Sequence, residues 1–253
     1  MNLETLLPLL AVIALATYFQ TVTGFGLGMI VMGATSGFGL ASIATVATVV
    51  SLISVANSAC ALPGRLHHID WRAAGAASLG ILPAILAGVL LLDFLSGTAS
   101  NLLQLLLGVV ILHGSITFSL RPATLATRSS ERSFFASGFL SGLSGGLFGI
   151  AGPPLIFQFY RQPMEPAVVR NMLLLLFAVT AGTRSLFIAA QGGFDAEILT
   201  LAAFTLPLVA LATLAGRRYP PALAPRTMRR IASLTLVAIG VSLVVSALRS
   251  FTA

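Results

Sequence analysis

Lysine is absent from this sequence, cysteine occurs once, and charged residues make up only 8% of it. Each scarcity removes a class of protein. Without lysine there is neither a P-loop lysine nor a Schiff-base lysine. The lone Cys60 forbids an internal disulfide, and with three histidines it leaves too few ligands for a metal cluster. No cofactor-binding motif is present, so no cofactor is expected. A soluble domain carries roughly 25% charged residues; a chain with so few could not keep its surface hydrated. The N-terminus has Glu4 and no basic region ahead of its first apolar run, so Leu3 to Phe19 reads as a retained helix, not a cleaved leader.

What is present is apolar. Hydrophobic residues are 57% of the chain, and mean hydropathy is +1.00. A bilayer accommodates such a sequence if helices satisfy every backbone group internally. Each crossing takes about 20 residues. Apolar runs fall near 3–35, 39–62, 73–92, 99–120, 133–160, 168–190, 196–215 and 231–248, and glycines interrupt the first and the fifth. The expected fold is therefore an all-α polytopic membrane protein with eight hydrophobic segments, forming one domain over 1–253. The 14 basic residues behind the net charge of +7 are all arginine and lie mostly in short loops. That is how a membrane protein sets its orientation, not how one binds nucleic acid.

The chain repeats itself. Thr23-Gly24-Phe25-Gly26-Leu27-Gly28 matches Phe148-Gly149-Ile150-Ala151-Gly152-Pro153 at a shift of 125, which also lays Ile69-Asp70-Trp71 on Phe194-Asp195-Ala196. Pro83 and Pro207, then Gly114 and Gly240, follow in near register. Two homologous halves result, 1–121 and 132–253. Equivalent loops have opposite charge: 63–72 holds Arg65 and Arg72 where 191–197 holds Asp195 and Glu197, and 93–98 holds Asp93 where 216–230 holds five arginines. Eight simple crossings would divide the arginines almost evenly between the two sides. If 3–35 and 133–160 are instead broken or re-entrant hairpins that return to the side they entered, each half has three full crossings and the halves are inverted. Twelve arginines then share the cytoplasmic side with only Arg249 opposite, and both termini are outside.

The two interruptions are the expected site. Glycine and proline break helices, and irregular backbone survives at membrane depth only when it is buried or lines a cavity. A half-helix starting after such a break offers free N–H groups and a positive dipole end to an anion. Paired broken helices in inverted halves mark a midplane substrate site in secondary transporters. The bland alternative is that small residues merely let helices pack closely. Candidate substrate contacts are Gln20, Thr21, Thr23, Gly24, Phe25, Gly26 and Gly28 in the first stretch. The second stretch, read as interrupted over 141–154, supplies Ser144, Gly145, Gly149, Gly152 and Pro153. Substitution of Gly26 or Gly152 by valine is expected to abolish transport, and Gly88→Ala on a full crossing to be milder.

Thr23-Gly24-Phe25-Gly26-Leu27-Gly28, Gly146-Leu147-Phe148-Gly149-Ile150-Ala151-Gly152-Pro153-Pro154 and Ile69-Asp70-Trp71-Arg72 together resemble the sulfite-exporter (TauE/SafE-like) family, also known as the toluene-sulfonate uptake permease group. The resemblance covers essentially the whole chain. It implies transport of small sulfur-containing or other organic anions, with the glycine turns lining the pathway. The sequence departs from the pattern at Leu27, where members often carry glycine, and at Asp195-Ala196-Glu197, where Asp-Trp-Arg would stand. The expected location is the bacterial inner membrane. A proton or a sodium ion is admitted as coupling partner, and a homodimer is admitted as the assembly.

Polar residues within apolar runs complete the list. Arg184 either binds the anion or snorkels to the interface. Asn57 and Asn171 either meet substrate or tie helices together. His113 either carries a coupling proton or is simply hydrogen-bonded in the bundle. Gly142-Leu143-Ser144-Gly145-Gly146 also satisfies the pattern of intramembrane serine hydrolases, with His113 the one base at membrane depth. An enzyme using Ser144 and His113 is thus the alternative to a transporter, although a stretch rich in Gly and Ser matches that pattern easily.

Overall fold

The computed structural model describes residues 3–37, 42–66, 69–119, 123–220 and 225–252. Among them the only regular structure is helical. The helices are α1 (Leu3–Thr23), α2 (Leu27–Gly37), α3 (Ile43–Ala61), α4 (Trp71–Thr98), α5 (Ser100–Ser119), α6 (Glu131–Phe148), α7 (Pro153–Tyr160), α8 (Pro166–Ala190), α9 (Ala196–Arg218) and α10 (Pro225–Thr252). Seven of these, all but α2, α6 and α7, are long and apolar enough to cross a membrane. Each interrupted segment is a long arm, a glycine-bearing turn and a short arm: α1 with α2, and α6 with α7.

Local chemistry explains the boundaries. Asp70 precedes α4 and accepts hydrogen bonds from the N–H groups of Arg72 and Ala73; Asp195 precedes α9 and accepts one from Ile198. The two aspartates that align between the halves are thus both N-caps, satisfying N–H groups that would otherwise be orphaned. Gly24 and Gly26 adopt φ of 93° and 107°, and Gly149 adopts 67°, a region that side chains with a Cβ rarely enter. These three residues end α1 and α6.

Glycine has a different role earlier in the second stretch. Ser141 to Phe148 stay helical, so the break is confined to 149–152 and does not extend over 141–154. Gly138, Gly142 and Gly146, four apart, lie along one side of α6, where α4 runs parallel in near backbone contact. A Cβ on Gly142 would sit 2.6 Å from the Ile81 carbonyl oxygen, and one on Gly88 would sit 2.5 Å from that of Leu143. The expectation that Gly88→Ala is mild is overturned, because Gly88 belongs to this seam. Gly75, with nothing within 4 Å of its Cβ position, is the permissive site on α4.

The helices run up and down in a consistent sense. At one end, Arg128 pairs with Asp70 (Nε to Oδ2, 2.7 Å), the Leu125 N–H donates to the Arg161 carbonyl, and Arg217 donates to the Pro63 carbonyl. The basic segments around Arg65, Arg128, Arg161, Arg170 and Arg217 therefore share one face. Asp93 and Asp195 lie toward the opposite face, around one recess. α3 and α8 are antiparallel, since Ser58 meets Leu174 while Thr48 meets Arg184. α5 and α10 are also antiparallel: Gly108 faces Val244 and Leu112 faces Gly240.

The Asp70 cap gives a pH test. Burial alone would raise the Asp70 carboxyl, but the Arg128 guanidinium and the two backbone N–H groups outweigh it and hold the carboxyl below its ordinary value. A depressed carboxylate stabilises the fold at neutral pH and loses that contribution as pH falls through the folded value. Asp70→Ala is expected to cost about 1 kcal/mol at neutral pH. In thermal melts the gap from the unsubstituted protein should close as the pH is taken below the carboxylate range.

Candidate functional site

Halfway along α3 and α8 the two glycine turns meet. A Cβ on Gly28 would lie 3.1 Å from the carbonyl oxygen of Gly149, so the start of α2 and the turn before α7 are in direct backbone apposition. Between them is a cavity of about 20 Å³, lined by Gln20, Gly26, Gly28, Gly145, Gly149 and Gly152 among others. Space of that size holds about one water molecule.

Its chemistry is that of a donor cage. At the start of α2 the Leu27 N–H donates to Gln20 Oε1 (3.1 Å) and the Ile30 N–H donates to the Gly26 carbonyl (2.9 Å). The N–H groups of Gly28 and Met29 have no acceptor among the described residues, and neither do those of Ile150, Ala151 and Gly152. All five residues line the cavity. The positive end of the α2 dipole thus meets a second set of free donors, and no ionisable side chain lines the space.

Three lining groups lay outside the glycine stretches and were missed in sequence. Ser51 and Ser54 of α3 and Thr180 of α8 bring hydroxyls to the cavity. Ser51 donates to the Ala47 carbonyl and Thr180 to the Leu176 carbonyl, whereas Ser54 makes no hydrogen bond among the described residues. The available signal was hydroxyl residues spaced i, i+3 and i+6 (Thr48, Ser51, Ser54) on an apolar helix.

The candidates separate into those at the cavity and those elsewhere. Gln20 is at the cavity and also braces it: Oε1 caps α2 and Nε2 donates to Asn57 Oδ1 (3.0 Å), which leaves one N–H over. Asn57 is fully used, because its Nδ2 donates to Thr21 Oγ1 and to Thr213 Oγ1, both at 2.8 Å. Asn57 and Thr21 therefore tie α1, α3 and α9 together and do not line the cavity. Thr23 donates to the carbonyls of Phe19 and Phe25, holding the turn in shape. Gly24 packs on Arg170, and Phe25 is fully buried with its ring edge-on to Phe19 and Tyr160, each at 6.0 Å. Pro153 packs near Gly114 as the first residue of α7. Asn171 donates to the Arg65 carbonyl at the arginine face.

Arg184 does not snorkel. It is completely buried; its Nε donates to the Gly146 carbonyl (3.0 Å) and its Nη1 to Thr48 Oγ1 and Ser51 Oγ (3.3 and 3.4 Å). Nη2 has no partner. The residue borders a second space, a recess of about 420 Å³ that also holds Asp93, Gln191 and Asp195. Arg184 therefore stands between cavity and recess, and Ser51 is common to the cavity and to Arg184.

Ser144 and His113 are not brought together. The Ser144 hydroxyl donates to the Ser141 carbonyl (3.1 Å), and His113 is on the exposed side of α5. Ser144→Ala is expected to change transport by no more than about tenfold, roughly 1.4 kcal/mol, the worth of one hydrogen bond. A fluorophosphonate probe should leave Ser144 unmodified; stoichiometric labelling there would contradict this placement.

A helical bundle with seven crossing-length apolar helices around a donor cage between two broken helices is the build of a polytopic membrane protein. The chain belongs to the Sulfite exporter TauE/SafE family, whose model matches residues 9–243. It is 58% identical over 254 residues to the "Probable sulfite/organosulfonate exporter TauE" of Cupriavidus necator, with 99% of each chain covered. No solved structure matches it.

Proposed function

We propose that this protein carries small sulfur-oxy anions, sulfite or organosulfonates, across the bacterial inner membrane by alternating access through the cavity between the two glycine turns. The observation that carries the reading is the set of free backbone N–H groups of Gly28, Met29, Ile150, Ala151 and Gly152 around one space. A sulfite or sulfonate head presents oxygens that accept from several directions, which suits donors converging from two half-helices. The relative from Cupriavidus necator bears a name with the same substrate class.

The geometry also supports inverted halves. Exchanging α1–α5 with α6–α10 maps the contacts α1 with α9, α3 with α9 and α2 with α10 onto α6 with α4, α8 with α4 and α7 with α5, all of which occur. The self-equivalent pairs, α3 with α8 and α5 with α10, are antiparallel. A two-fold axis along the membrane normal would make them parallel, whereas an axis in the membrane plane makes them antiparallel. The arginine face is then cytoplasmic. A cavity of about 20 Å³ is too small for an SO₃ head, so the turns must part to admit it.

Reconstituted protein should exchange labelled sulfite and short sulfonates in counterflow, and carboxylates far less. No exchange of any sulfur anion would overturn the reading. In a Cys60→Ser background, a cysteine placed beside Arg226 should label only from the cytoplasm; labelling from outside would overturn the inverted arrangement.

A further inference from the structure

Three guanidiniums converge at the arginine face without a counter-charge. Arg65 follows α3, Arg170 is in the first turns of α8 and Arg217 ends α9. They are neighbours: Arg217 reaches the Pro63 carbonyl two residues before Arg65, and Asn171, next to Arg170, reaches the Arg65 carbonyl. No carboxylate offsets them: the one ion pair among the described residues is Arg128 with Asp70. Like charges gathered from three separate elements repel, and an oxyanion between them would relieve that repulsion through charge-assisted hydrogen bonds.

Backbone contacts anchor the cluster. Arg217 donates to the carbonyls of Cys60 and Pro63, which fixes it at the end of α3. Asn171 donates to the Arg65 carbonyl. Arg170 is half-buried and its Nε is buried with no hydrogen-bond partner. Its stem lies against the first glycine turn, where a Cβ on Gly24 would be 2.9 Å from Arg170 Cγ. Two residues further along the chain, Gly26 lines the central cavity. Between these neighbours stands Phe25, fully buried against Phe19 and Tyr160, and the Tyr160 hydroxyl donates to the Thr23 carbonyl (3.2 Å). Cluster, aromatic barrier and cavity therefore follow one another along a single turn.

We infer that Arg65, Arg170 and Arg217 form a second anion site, outside the central cavity, that takes an oxyanion group before the Gly24–Gly26 turn moves. The same chemistry serves a soluble sulfur oxyanion or the phosphate of an anionic lipid. This inference rests on the transport reading for its direction of flow but not for the existence of the site.

Two measurements test it. The first needs no transport: thermal stability in detergent, with sodium sulfate compared with sodium chloride at equal ionic strength, and separately with added phosphatidylglycerol. Sulfate or the lipid should raise the melting temperature of the unsubstituted protein. The rise should vanish in the Arg65→Gln/Arg170→Gln pair and return in Arg170→Lys. The second is sulfite transport in oriented vesicles of phosphatidylcholine, with and without phosphatidylglycerol. If the ligand is the soluble anion, each Gln variant should raise the half-saturating sulfite concentration at the arginine face about two- to fivefold, the scale of one partly exposed charge contact. The maximal rate and the opposite face should be unchanged. If the ligand is lipid, half-saturation should stay put and the phosphatidylglycerol dependence should disappear. Stabilisation by both additives that survives in the double variant, or half-saturation that moves equally at both faces, overturns the site. Loss of all transport in the unsubstituted protein, with the sulfate effect on melting retained, would overturn the transport reading and leave the site standing.

Discussion

Gly28→Val is expected to abolish transport, by at least about a hundredfold or roughly 2.7 kcal/mol, while leaving folded protein in the membrane. Gly28 is helical with ordinary φ, so valine meets no backbone strain there. Its Cβ would enter the contact between the turns, 3.1 Å from the Gly149 carbonyl oxygen and 3.4 Å from Val50 Cγ1. The branched methyls would then fill a space of about 20 Å³ and cover the donors proposed to hold the anion. Gly152→Val should also block exchange, its nearest neighbour being the flexible end of Ile156, but its ψ of −68° ahead of Pro153 disfavours a side chain, so it tests the turn less cleanly than Gly28→Val. Gly26→Val is a poorer probe: a φ of 107° and the Phe19 ring 3.0 Å away would distort the turn as well as block it. Gly75→Ala, facing open space, should leave transport intact. Counterflow at matched amounts of monodisperse protein decides the matter. Normal exchange by Gly28→Val and Gly152→Val would make the turns packing devices only.

Gly142→Leu is expected to fail earlier, at folding. Even the first atom of a side chain there would stand 2.6 Å from the Ile81 carbonyl oxygen and 2.9 Å from Ile81 Cα. The obstruction is backbone, which cannot rotate aside, so α4 and α6 would have to separate along their length. Overpacking of this kind costs about 3 kcal/mol or more. In a bilayer, where close van der Waals contact between helices replaces the hydrophobic drive, little is left to offset it. The readout is loss of the monodisperse peak in detergent and a lowered melting temperature. An unaltered melting curve would mean that this seam is looser than drawn. The site would suffer too, because α6 carries Gly145 at the cavity and the Gly146 carbonyl that receives Arg184.

These expectations show where sequence reasoning stopped. The Gly24–Gly28 run reads as a break, and it is one, because successive glycines after Thr23 permit the positive φ that ends α1. The same reasoning applied to Ser141–Gly146 fails. A lone glycine-rich segment in water would fray, but within a membrane its N–H and C=O groups have no better partners than each other. With α4 alongside, the absent side chains become contact area. Asn57 reads equally as ligand or tie, and its choice depends on Thr213, 156 residues away. Arg184 reads as pathway or interface and turns out to be neither exposed nor at the central cavity.

What the sequence determined by itself was whatever depends on composition and local chemistry. A chain with 8% charge and 57% apolar residues has no solvent but lipid, Asp70 and Asp195 cap helices wherever those helices go, and two glycine turns interrupt helices. Tertiary structure alone decided which donors are left over. A backbone N–H is free or satisfied according to what lies across from it. Only the docking of α2 against the turn before α7, with Ser54 and Thr180 brought in from α3 and α8, leaves five such groups around one space.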